Sequence, residues 1–124
     1  MKEGVELLIS HIAQNDDAVI IVDSDADGYT SSAIFINYLN RFFPGWIQNH
    51  LSYWIHSGKQ HGLMDFIDSY DWLSKNIKLI ICPDSASNDY EQHRIFKEHG
   101  IDILILDHHE ADGGYSEDAV TINN

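Results

Sequence analysis

Positive charge is scarce in this sequence: 7 Lys and Arg face 20 Asp and Glu in 124 residues, a formal net charge of −13 with the eight His neutral. Such a surface repels phosphate backbones and excludes the ordinary electrostatic route to nucleic acid, unless several acids converge on cations that reverse the local sign. Cysteine is nearly absent. Cys82 stands alone, cannot form an internal disulfide, and beside Leu79, Ile80 and Ile81 reads as a small buried hydrophobe. Long hydrophobic runs are missing: Ala18 to Val22 and Ile101 to Leu106 are too short and too interrupted to cross a bilayer. No basic segment followed by an apolar stretch opens the chain. The expectation is a soluble, cytoplasmic protein with no membrane partner. What is present, 44% hydrophobic and 22% charged residues, is an ordinary globular balance for one domain with a real core.

The hydrophobic periodicity alternates between two kinds. Val5, Leu8, Ile9 and Ile12 share a helical stripe that Asn15-Asp16-Asp17 stops. Ala18 to Val22 is a continuous β-branched run suited to a buried parallel strand. Phe35, Tyr38, Leu39 and Phe42 then repeat at helical spacing until Pro44-Gly45, which is read as the helix end. Leu51 to Ile55 is a second strand, residues 63–73 a short helix and turn, and Ile77 to Cys82 a third strand. Asn88 and Glu91 resemble a capping box opening a helix over Tyr90 to His99, closed by Gly100. Ile101 to Leu106 and Ala119 to Ile122 complete five strands. This alternation predicts an α/β fold, a parallel sheet with helices on both faces.

In such sheets ligands bind outside the carboxyl ends of the strands. The loops there read Asp23-Ser24-Asp25-Ala26-Asp27-Gly28 after the first strand, Pro83-Asp84-Ser85 after the third and Asp107-His108-His109 after the fourth. Carboxylates and imidazoles without cysteine favour Mn²⁺, Mg²⁺ or Zn²⁺ over a structural zinc site. Five carboxylates on one edge would repel without cations, so a pair of divalent ions is the natural reading. Two ions about 3.5–4 Å apart can generate a hydroxide and clamp both oxygens of a phosphoryl displacement. The inferred reaction is phosphoester hydrolysis. A calcium loop opens with a similar pattern, but its twelfth position needs a Glu and Ile34 stands there. Singly, Asp84 suits a loop cap and the His pair a structural role; jointly, at three strand ends, the metal reading prevails. Tyr53, Trp54 and Trp72 are assigned to packing ahead of base stacking.

The runs Asp23 to Ser31, Pro83-Asp84-Ser85 and Asp107-His108-His109 together resemble the DHH phosphoesterase superfamily, and within it the RecJ-type single-strand-specific 5′→3′ exonucleases, shorter prophage forms included. The resemblance implies Asp23 and Asp25 on a first Mn²⁺ or Mg²⁺, Asp27 and His108 on a second, and Asp84 bridging. It implies Asp107 in or behind the metal shell and His109 facing the scissile phosphate, with His108 and Asp107 sharing the catalytic motif. Lys59 and His61, in the loop His56 to Gly62, fall where such proteins contact substrate phosphate; the other reading of that loop is a solvated turn. Many superfamily members carry a metal-binding His where Ile21 stands, and its absence favours the RecJ branch. The implied partners are single-stranded DNA and other repair or recombination proteins. The alternatives are a phosphodiesterase for short oligonucleotides or cyclic dinucleotides, and a metal-free scaffold of the same fold. Residues 1–124 are expected to be the N-terminal part of a DHH domain, lacking a fourth metal motif and a C-terminal substrate-binding domain, and inactive alone.

Overall fold

The computed structural model describes residues 2–56, 62–69, 71–73, 75–107 and 114–123. The described elements run α1 (Lys2–Ala13), β1 (Asp17–Val22), α2 (Ala26–Phe42), α3 (Pro44–His50), β2 (Leu51–Ile55), α4 (Met64–Ser69), a 3₁₀ turn (Asp71–Leu73), β3 (Ile77–Pro83), α5 (Tyr90–Glu98), β4 (Asp102–Asp107) and β5 (Val120–Asn123). All strand pairs are parallel, in the order β2-β1-β3-β4-β5. The chain steps from β1 outward to β2, then returns to β1's other side for β3. That reversal opens a crevice at the carboxyl ends of β1 and β3, where doubly wound sheets bind their ligands.

Alternate residues of the central strands feed two cores. Val19, Ile21, Ile80, Cys82, Ile103 and Ile105 pack with Phe66 of α4 and Phe96 of α5. Ala18, Ile20, Val22, Leu79, Ile81 and Leu104 face the other way, against Leu8 of α1, Leu39 of α2 and Trp46 of α3. A parallel strand covered on both faces is apolar throughout, which is why β1 and β3 read as continuous β-branched runs. Strand β2 is an edge and half exposed, with Tyr53 at 68%. Trp54 and Trp72 pack in or against the first core as expected, whereas Tyr53 does not.

Several boundaries differ from the sequence reading for identifiable reasons. In α1 the inward residues are Gly4, Leu8, His11 and Ile12, and Val5 and Ile9 are exposed. The stripe is rotated because the His11 ring lies between two carboxylates, 2.8 Å from Asp16 Oδ2 and 2.8 Å from Asp102 Oδ2. On α2, Leu39 is buried but Tyr38 and Phe42 are exposed. Pro44 opens a helix and does not merely end one: it occupies the first turn of α3, where its missing N–H costs nothing. Trp46 anchors that helix by donating its indole N–H to the Asp16 carbonyl at 3.0 Å. The cap of α5 is Asp89, and Asn88 is not part of a capping box, because the Asp89 carboxylate accepts the Leu63 amide at 2.8 Å and caps nothing in its own helix.

Candidate metal centre

Strand β1 delivers Asp23, fully buried, at its carboxyl end. Two residues on, Asp25 is the N-cap of α2, and its Oδ1 accepts the Gly28 amide at 2.7 Å. Gly28 must be glycine: a Cβ would lie 2.4 Å from the Asp23 carbonyl, so the helix could not sit this close to the strand end. Strand β3 delivers Asp84, also buried, across the crevice. One carboxylate oxygen from each of Asp23, Asp25 and Asp84 lies within 4.8 Å of the other two.

A cavity of 180 Å³ opens over this group, lined by Asp23, Gly62, Asp84, Asp107 and the loop from Ser85 to Asp89. Asp107, buried at the end of β4, accepts the Ser87 amide on Oδ2 at 3.3 Å. The loop itself is unusual. Asp84 (φ 73°) and Ala86 (φ 81°) are both left-handed, a region costing roughly 1–2 kcal/mol for a residue with a Cβ. The Ala86 carbonyl is held by the His93 Nε2–H at 2.8 Å and the Asp89 amide at 3.2 Å. Strain of this kind gathers where a site needs particular atoms in place. In the same loop the hydroxyls of Ser85 and Ser87 are buried and have no hydrogen-bond partner among the described residues.

Electrostatics separate the inert groups from the useful ones. Burial pushes the Cys82 thiol well up, and the carboxylates of Asp89, Asp23 and Asp107 push it further, so it stays a neutral packing atom. Burial lowers the His93 imidazole from 6.5, which keeps it neutral with its proton on the nitrogen facing Ala86. The remaining donors at the crevice are hard carboxylate oxygens, two of the three residues buried. They fit a divalent Mn²⁺ or Mg²⁺ ion, which would relieve their mutual repulsion.

Of the residues picked from the sequence, Asp23, Asp25 and Asp84 come together, and Asp107 lines their cavity. Asp27 does not join them: it is exposed on the first turn of α2. Lys59, His61, His108 and His109 lie outside the described residues. Sequence reasoning reached the loop from His56 to Gly62 past β2 but chose Lys59 and His61 in it and gave no role to His56, which is buried, or to Gly62; it missed Asp89.

A family model described as the DHH family, N-terminal domain, matches residues 17–124. The chain belongs to the DHH family. It is 37% identical over 122 residues to YorK of Bacillus subtilis (strain 168), named as an SPbeta prophage-derived single-strand DNA-specific exonuclease, covering 98% of this chain and 20% of that protein. It is 26% identical over 111 residues to the single-stranded-DNA-specific exonuclease RecJ of the same organism, covering 89% of this chain and 14% of RecJ. Among DHH folds already solved, RecJ in complex with Mn²⁺ from Thermus thermophilus superposes with a TM-score of 0.74 at 20% identity, over 98% of this chain and 16% of that one. A second exonuclease RecJ, bound to manganese, gives 0.77 at 19% identity, over 98% and 30%. The chain thus spans about a fifth of YorK, and the DHH match takes in every acid of the candidate centre.

Proposed function

We propose that this chain supplies the front part of the catalytic core of a RecJ-like, single-strand-specific 5′→3′ DNA exonuclease that hydrolyses phosphodiesters with Mn²⁺ or Mg²⁺. The observation that carries the reading is the meeting of Asp23, Asp25 and Asp84 at the β1/β3 crevice, with Asp107 lining it. A bound divalent ion would lower the pKa of a water to nucleophilic range and neutralise phosphoryl charge. Asp23 and Asp84, buried and fixed on rigid strand ends, hold the ligand positions. Asp25 ties one position to the start of α2 through the Gly28 amide. Asp107 fastens the β3 loop to β4 through Ser87. By resemblance, Asp84 would help hold both of two ions, His108 would serve the second, and His109 would donate to a phosphoryl oxygen where charge develops. Lys59 and His61 are assigned to the substrate phosphate on the same ground.

The activity proposed is that of a protein joining this segment to a substrate-binding region, which YorK-sized relatives have the length to contain. The 124-residue chain alone is expected to bind Mn²⁺ and to digest little. Misplacing a reacting group by about an ångström can cost about 100-fold in rate. The test incubates the protein with 5′- and 3′-labelled single-stranded DNA, duplex DNA and a cyclic dinucleotide in Mn²⁺. Release of nucleotides from the 5′ end of single strands supports the reading. Turnover of the cyclic dinucleotide in its place would move the chain to the phosphodiesterases, and no turnover by the full-length protein would favour a scaffold.

A further inference from the structure

Three hydrogen bonds meet around one glycine beside the centre. The Gly62 N–H donates to Asp23 Oδ1 at 3.3 Å, and the Gly62 carbonyl accepts from His56 Nε2 at 2.8 Å. The next amide, that of Leu63, donates to Asp89 Oδ2 at 2.8 Å. Only glycine fits here: φ is +73° and a Cβ would fall 2.3 Å from Asp89 Oδ2. His56, Asp23 and Leu63 are all buried, and Trp54 meets the His56 ring edge-on at 4.9 Å between centroids, fixing its plane.

We propose that His56 and Asp89 are positioning residues for Asp23: together they hold the Gly62–Leu63 peptide, and with it the Gly62 residue whose own N–H sets the rotation of the Asp23 carboxylate toward the metal. The inference rests on the metal reading above. An aspartate turns easily about its last torsion. Crowded by Asp25 and Asp84, the Asp23 carboxylate gains by turning away from them, and an amide donating to one oxygen opposes that turn. That amide is only as well placed as Gly62 itself, whose carbonyl His56 grips and whose following N–H, that of Leu63, Asp89 holds. His56 Nε2 is itself 3.6 Å from Asp23 Oδ1, too long for a hydrogen bond, so its influence passes through Gly62. Partners of this kind behind a metal ligand are typically worth about 10–100-fold in metal affinity.

The test measures Mn²⁺ affinity by calorimetry and metal-free melting on the wild type, His56→Leu, His56→Gln and Asp89→Ala. His56→Leu and Asp89→Ala should each weaken Mn²⁺ binding about 10-fold, and His56→Gln, whose Nε2 reaches the same carbonyl, should stay within about threefold of wild type. If His56→Leu fails to fold, Asp89→Ala and the glutamine rescue decide. Lower melting temperatures with unchanged Mn²⁺ affinity would reduce both residues to packing and overturn the positioning role while leaving the metal reading intact. Failure of glutamine to rescue would also overturn it. A wild type that binds no Mn²⁺ would overturn the metal reading and this inference with it.

Discussion

Carboxylates gather at both ends of the sheet, and the two gatherings are held by different means. At the amino ends of the strands, His11 sits 2.8 Å from both Asp16 and Asp102, and His50 sits 2.8 Å from Asp17. Imidazoles are interleaved between those acids. At the carboxyl ends, Asp23, Asp25 and Asp84 crowd within 4.8 Å of one another, with the Gly62 amide on Asp23, the Gly28 amide on Asp25 and the His56 ring 3.6 Å from Asp23. An amide orients a carboxylate without cancelling its charge. The lower acids are part of the fold's own wiring, and the upper ones are those proposed above to hold a cation. In a chain of net charge −13, abundance of acid marks nothing. Like charges forced together on rigid strand ends do.

Substitutions at the two ends should separate along that line. Gly28→Ala is expected to have the largest effect, because its methyl meets the Asp23 backbone at 2.4 Å and neither helix nor strand can yield cheaply. Overpacking of this order costs about 1–3 kcal/mol or more, and displaced Asp23 should lose Mn²⁺ binding as well. Chemical denaturation and a Mn²⁺ titration read both. At the other end, His11→Leu leaves Asp16 and Asp102 facing each other across an apolar group. It should destabilise the chain by about 2 kcal/mol, the scale of hydrogen bonds to charged groups, with Mn²⁺ affinity unchanged. A change in Mn²⁺ affinity there would break the distinction between the two ends.

Smaller effects sharpen it. His93 is neutral in the fold because burial lowers its pKa from 6.5, so the unfolded chain takes up a proton first as pH falls. Its contribution is complete above about pH 6.5 and shrinks as the pH drops toward the lowered value. His93→Gln, which keeps a donor for the Ala86 carbonyl, should flatten stability-against-pH curves in that window. Asp27→Asn should change Mn²⁺ affinity less than about threefold, far below the 10–100-fold that even an outer partner is worth. A larger loss would return Asp27 to the ligand set that the family resemblance assigns it.

Much of this is legible in the order of residues, because the signals are local. Ala18 to Val22 and Ile77 to Cys82 announce buried parallel strands by composition alone, and the acids that follow them need no long-range knowledge to be read as a site. What escapes the sequence depends on contacts between distant segments. The face of α1 is decided by His11 meeting Asp102, 91 positions away, and no pattern within the helix records that. Asp89 reads as a residue beside a helix start until Leu63 is placed against it. Pro44 reads as a stop because the tether that makes α3 worth forming, Trp46 to the Asp16 carbonyl, is equally non-local. Strand order, and hence the crevice between β1 and β3, is likewise a property of the packed sheet.

The central claim is that Asp23, Asp25 and Asp84 together hold a divalent cation. The most direct measurement is Mn²⁺ binding to the 124-residue chain by electron paramagnetic resonance, with melting curves in parallel, for wild type and Asp84→Asn. The wild type should bind Mn²⁺ and, at a free concentration of about 100 times Kd, gain about 2.7 kcal/mol, on the order of 10 °C in melting temperature. Asp84→Asn should lose at least about 100-fold in affinity and nearly all of that gain. Equal Mn²⁺ binding by the two proteins, or a wild type whose melting temperature does not rise with Mn²⁺, would contradict the account.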